Sequence, residues 1–218
     1  MNKNEIYEEL LNDIICLKIK PNEFLKEVEL SNQYQISRTP LREIIKKLSW
    51  QGYVEVMPKY GNRVSLIDSK SVIQMIDMRI VLEKEVQKQL AFSAKDNRDW
   101  QFLDDIIAMQ KVAVISHNTD EFWKLDNSFH KSLFGLANKE MWWKTIRTNE
   151  AHYMRFRKLE MSDNTDYELI YFQHLEMLKA ISEKNYEDLD QIINNHVGSC
   201  VAKLSLLMDK YGEYFKKR

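Results

Sequence analysis

The sequence predicts a mostly α-helical protein made of two unlike parts. All three prolines, Pro21, Pro40 and Pro58, fall in the first 66 residues, with Gly52 and Gly61 beside them. No further glycine occurs until Gly135. From Ser69 onward apolar residues recur only at helical spacing. The 218 residues suit one or two domains, each able to bury a core, and 44% hydrophobic with 11% aromatic content is a globular composition.

Taken in order, residues 4–17 carry a helical stripe of Ile6, Leu10, Leu11, Ile14 and Ile15. Residues 18–22 read as a turn and 27–34 as a short helix. Gln35 and Ile36 make a tight connection into a helix that opens at Ser37 and closes at Gln51, with Gly52 as its C-cap. Residues 53–57 alternate like a strand, 58–62 turn, and 63–67 form a second strand. Helix, helix, turn, helix, hairpin is the winged helix-turn-helix arrangement, the hairpin being the wing. Helices are then predicted over 70–92, 98–116, 119–136, 140–159, 167–183 and 186–211. Their breaks are short and polar, which favours antiparallel neighbours. The expected fold is an N-terminal winged helix-turn-helix with a small β-hairpin, residues 1–68, and a C-terminal all-α antiparallel helical bundle, residues 69–218.

The stretch Ile36-Ser37-Arg38-Thr39-Pro40-Leu41-Arg42-Glu43 sits where a DNA-reading helix should begin. Ser37 is a good N-cap, and Pro40 is tolerated in a first turn. Arg38 and Arg42 are four apart and share a face. Hydroxyls and guanidinium groups at a helix start suit phosphate oxygens and guanine edges. On spacing alone an amphipathic helix with a solvated basic face fits as well. Charge supports DNA. Residues 36–63 hold Arg38, Arg42, Lys46, Lys47, Lys59 and Arg63 against Glu43 and Glu55, on a chain of net charge −1.

Cys16 and Cys200 are far apart and imply no disulfide framework. The polar N-terminus predicts no signal peptide, and no apolar run is long enough to span a membrane. A cytoplasmic location is expected.

These residues resemble the GntR family of bacterial transcription regulators, in its FadR-type subgroup with an FCD ligand-binding domain. The resemblance rests on Pro21, Leu25, Glu27, Leu30, the Ile36–Glu43 segment, Leu48, Gly52, Val54, Pro58, Gly61 and Val64. It continues with Arg79-x-x-Leu82-Glu83, Asp126-x-x-Phe129-His130, Asn138, His174 and His196. Asn22, Gln35 and Ile44 depart from the usual pattern, and Gln35 needs a positive φ that a non-glycine tolerates poorly. The resemblance implies that Arg38, Thr39 and Arg42 contact operator DNA. It also implies that Gly61 approaches the minor groove. Ser37, Lys46, Lys47 and Lys59 are expected at phosphates. One reading helix per chain predicts a homodimer on an inverted repeat.

Asp126 and His130, at i and i+4, point to one side of a helix. His174 and His196 each lie eleven residues from Asn185, so antiparallel helices set them at one level. Asp, His, His and His suit a divalent metal ion, with zinc, nickel and manganese all open. His152 is equidistant with His174 from Asp163 and is a candidate to contact a bound anion. Arg79 and Arg155 are candidates to clamp an effector carboxylate. The expected function is a DNA-binding transcriptional regulator controlled by a small organic acid at that metal site. The alternative is a metal-dependent helical-bundle enzyme fused to a DNA-binding module. No histidine has Glu or Asp three residues before it, which argues against a di-iron bundle.

Overall fold

The computed structural model describes residues 1–93, 100–163 and 165–217. The predicted break at 94–97 and the predicted helix start at 98 lie outside the described residues. The helices are α1 (Lys3–Ile15), α2 (Glu27–Tyr34), α3 (Arg38–Trp50), α4 (Ser69–Phe92), α5 (Gln101–Ile115), α6 (Thr119–Leu136), α7 (Glu140–Asn149), α8 (Ala151–Ser162), α9 (Tyr167–Glu183), α10 (Tyr186–Gly198) and α11 (Cys200–Lys210). The strands are β1 (Phe24–Leu25), β2 (Val54–Met57) and β3 (Gly61–Val64). No helix among the described residues is long and apolar enough to cross a membrane.

The chain divides into two compact units. The first joins Met1–Met75 to Thr148–Glu160 and Ala202–Arg218. Its centre is a winged helix-turn-helix. Ile6, Leu10 and Ile14 of α1 and Leu41, Ile44 and Leu48 of α3 are fully buried apolar residues of this unit. The turn between α2 and α3 passes through Gln35 at φ 52°, so the left-handed residue expected there is a glutamine. The sheet is antiparallel in the order β1-β3-β2, with Val54 opposite Val64 and Met57 opposite Gly61. The third strand, β1, pairs Phe24 with Arg63 and is only two residues long, too short for a periodic signal.

The partition differs from a single cut at residue 68. Past the wing, Ile67 pairs with Phe215, and its N–H donates to the Tyr214 carbonyl at 2.8 Å. The Arg155 guanidinium donates to both the carbonyl and the hydroxyl of Ser65, the latter at 2.9 Å. The C-terminal segment and α8 are thus bonded to the wing's exit.

The second unit comprises Ile76–Arg147 and Met161–Val201 and is all helical in its described residues. Its core includes Leu90, Phe122, Phe129, Phe134, Met177, Ile181, Leu189 and Ile193. Its helix connections share a chemistry. His117 and Lys184 take positive φ, and each precedes an asparagine N-cap. The Asn118 and Asn185 side chains accept from the Glu121 and Asp188 N–H groups. Two predicted helices are each split. The 140–159 helix breaks at Glu150, where neither glycine nor proline stands. The 186–211 helix breaks at Ser199, just past Gly198, a signal that was present in the sequence.

Candidate metal centre and DNA-reading surface

In the second unit, α6 presents Asp126 and His130, α9 presents His174, and α10 presents His196. All four are buried, and one donor atom from each lies within 4.8 Å of all the others. His196 Nε2 is 3.0 Å from His130 Nε2 and 3.3 Å from His174 Nε2. Asp126 Oδ1 is 3.6 Å from His174 Nε2. Phe129 stacks on the His174 ring at 4.1 Å and walls the cluster.

The outward nitrogens explain the inward ones. His174 Nδ1 lies 2.9 Å from Gln110 Oε1 on α5, and His196 Nδ1 lies 2.9 Å from Gln173 Oε1 on α9. His130 Nδ1 lies 2.7 Å from Glu83 Oε2 on α4. That last pair is close but lacks hydrogen-bond geometry. Each acceptor favours the tautomer with its proton on Nδ1, which leaves a lone pair on Nε2. Three lone pairs then converge about 3 Å apart, beside a buried carboxylate oxygen that has no donor among the described residues. Such a set is repulsive by itself and is relieved by a cation. Ligands about 2.1 Å from a shared ion stand about 3 Å from one another. The residues present therefore fit a divalent metal ion.

Arg79 Nε donates to Glu83 Oε1 at 2.8 Å. Burial alone would raise the Glu83 pKa. Arg79 and His130 outweigh it and hold the carboxyl down at about 2. Arg79 thus reaches the cluster through Glu83.

His152 and Arg155 belong to the first unit and the four clustered residues to the second. His152 Nδ1 accepts from the Asp68 N–H at 3.2 Å and is 3.2 Å from Arg155 Nη2. Arg155 is fully buried, and its donors go to Ser65 and Ala151.

Burial first, and then Arg155, push the His152 pKa down to about 4. A free histidine titrates near 6.5, at about 6.5 in an unfolded chain. Between those values the unfolded chain takes a proton that the folded chain refuses. Stability owed to neutral His152 is therefore whole above about pH 6.5 and is lost as pH falls through about 4. The unfolding midpoint of metal-free protein should drop more steeply from pH 7 to 5 in the native sequence than in His152→Gln. Parallel slopes in urea titrations would remove His152 as the cause.

On the first unit, Ser37, Arg38, Thr39, Arg42, Lys46, Lys59 and Gly61 are all exposed. Ser37 holds the N-cap position, yet its hydroxyl makes no cap hydrogen bond. Arg42 Nε donates to Glu27 Oε2 at 2.8 Å, and Asn62 Nδ2 donates to Glu27 Oε1 at 3.0 Å. Glu27 thus ties the α3 arginine to the wing. Gly61 takes φ 109°, with open space where a Cβ would stand. Lys46 lies over Trp50 at 4.9 Å, whereas Lys47 sits 3.4 Å over the Tyr7 ring of α1, away from Arg38 and Arg42. Sequence reading missed the roles of Glu27, Glu83, Gln110 and Gln173. Only Glu27 and Glu83 had a signal, each standing inside the motifs already noted.

A winged helix-turn-helix with a basic α3 start, beside a helical unit that holds a buried Asp/His cluster, defines a bacterial DNA-binding regulator. The chain belongs to the gntR family of bacterial regulatory proteins, matched over residues 2–64, and carries an FCD domain, matched over residues 74–199. It is a DNA-binding transcriptional regulator, and the families it matches are regulators and not enzymes. It is 25% identical over 213 residues to the HTH-type transcriptional repressor RspR of Escherichia coli K12, covering 98% of this chain and 93% of that protein. It is 27% identical over 188 residues to the gluconate operon transcriptional repressor of Bacillus licheniformis, covering 86% and 70%. Among solved structures, a GntR transcriptional regulator from Rhodococcus sp. RHA1 matches with TM-score 0.74 at 16% identity, covering 93% of this chain and 97% of that one. Escherichia coli McbR/YncC matches with the same TM-score and identity, covering 96% and 98%.

Proposed function

We propose that this regulator binds an inverted-repeat operator as a homodimer, and that a small organic acid controls its affinity through a divalent metal ion. Asp126, His130, His174 and His196 hold the ion, with zinc, nickel or manganese as its identity. The observation that carries this reading is the convergence of three imidazole Nε2 atoms and a donorless carboxylate oxygen in a buried site. The ion supplies a positive charge and open positions that suit a carboxylate. One relative is named for the gluconate operon, and gluconate is a small hydroxycarboxylate. Arg79 serves here through Glu83.

DNA is read by Arg38, Thr39 and Arg42, with Ser37, Lys46, Lys59 and Gly61 at the backbone. Glu27 holds Arg42 by Nε and leaves its terminal nitrogens to a base edge. The test begins with an operator selected from random duplexes by the purified dimer. Metal content is measured by elemental analysis, and operator affinity is measured with metal present and with metal stripped. Protein that carries no metal and ignores added zinc, nickel and manganese would sink the metal half of the reading.

Arg42→Ala should weaken operator binding by about 1–3 kcal/mol at fixed salt. Unchanged affinity would move the reading face elsewhere. Lys46→Ala and Lys59→Ala should each flatten the log–log salt dependence by roughly one. Lys47→Ala should leave it alone, because its ammonium is held over Tyr7. Salt titrations of the three variants settle this, and three equal slopes would end the assignment of phosphate contacts.

A further inference from the structure

We infer that Gln110 and Gln173 are positioning residues that select the histidine tautomers of the metal cluster. The inference rests on the metal reading above and concerns residues outside the ligand set. Each glutamine presents its side-chain oxygen 2.9 Å from the Nδ1 of a clustered histidine, His174 for Gln110 and His196 for Gln173. An acceptor there keeps the proton on Nδ1 and the lone pair on Nε2, where the ion is bound.

The choice of an amide has a consequence. Glu83, beside His130, is an ionised carboxylate and can only accept. A glutamine can turn over and donate its NH₂ instead, which serves the opposite tautomer. Gln110 is fully buried, and its amide nitrogen has no acceptor among the described residues. Neither face of that amide is therefore pinned by a second partner. Without an ion, three unprotonated Nε2 atoms 3.0 and 3.3 Å apart repel. Turning the Gln110 amide lets His174 carry its proton on Nε2 and donate it toward His196. With the ion bound, the amide returns to the accepting pose. Gln110 thus supports the cluster with and without metal, as a carboxylate in its place could not.

The experiment uses the full-length protein and zinc as the probe. Zinc affinity is measured by competition with a chromophoric chelator. It should fall about 10–100-fold in Gln110→Leu and in Gln173→Leu. Gln110→Glu and Gln173→Glu, which keep an acceptor, should restore it. Imidazole ¹⁵N spectra of zinc-loaded native protein should show His174 and His196 protonated at Nδ1. Spectra of zinc-free protein should show His174 protonated at Nε2. Leucine variants that bind zinc within twofold of native protein overturn the inference, as does a native zinc form protonated at Nε2. If a leucine variant does not fold, the native spectra decide alone. Native protein that binds no zinc, nickel or manganese refutes the metal reading itself. Native binding with unaffected variants refutes only the role of the glutamines.

Discussion

His174→Ala combined with His196→Ala should abolish metal binding and leave operator affinity indifferent to zinc or to any organic acid. These two rings are the middle of the cluster, 3.3 Å apart at Nε2, and each of the other donors lies beside one of them. Without them, Asp126 and His130 remain on one helix as a two-donor site, which cannot close a shell on a divalent ion against water. The double variant also removes the crowding of lone pairs, so it should fold without metal, although losing the His174 stack on Phe129 costs some packing. Circular dichroism checks that it folds, elemental analysis reads its metal, and DNA titrations with and without candidate acids read the coupling. For a switch of this kind, roughly 1–3 kcal/mol of coupling is usual, and the variant should show none. Full metal occupancy in the double variant would mean that the ligands lie elsewhere. Metal lost with the acid response intact would leave a ligand pocket but take the ion out of its control.

The Asp/His cluster was legible because its geometry is local or nearly so. Asp126 and His130 follow from the helical repeat alone. His174 and His196 follow from one short connection at Lys184-Asn185, whose left-handed residue and asparagine cap turn the chain where expected. Gln110 could not be found in this way. It sits on a helix with no sequence link to His174, and only packing brings the two together. The same distinction separates α3 from β1: thirteen residues with a strong apolar stripe announce themselves, and two residues that merely complete a sheet do not. Arg155 shows the same limit: nothing local in the sequence says that it is buried or that its acceptors are Ser65 and the Ala151 carbonyl. The 140–159 helix followed an apolar period that runs through Glu150, where no glycine or proline marks the break the structure shows.

Arg155→Ala should destabilise the first unit by about 3 kcal/mol, the scale of emptying a large buried site and stranding its partners. Arg155 is fully buried. Its Nε donates to the Ala151 carbonyl at 2.9 Å, and its terminal nitrogens serve both oxygens of Ser65. The Ser65 hydroxyl in turn donates to the Gly52 carbonyl at 2.6 Å, at the end of the reading helix. One guanidinium therefore joins α8, the wing's exit and the turn behind α3. Burial lowers its pKa to about 10, yet it stays charged at neutral pH. Lysine should not substitute for it, because a single ammonium cannot meet three acceptors from a planar fork. Urea denaturation of metal-free protein should show Arg155→Ala and Arg155→Lys both unfolding at lower denaturant with an unchanged slope. Ser65→Ala, which keeps the carbonyl, should lose less. Below their transitions the variants should still bind operator DNA, since none of these atoms is on the exposed α3 face. A midpoint unmoved in Arg155→Ala would show that the three contacts contribute nothing net. Folded Arg155→Ala with operator affinity fully lost would place Arg155 in DNA reading after all.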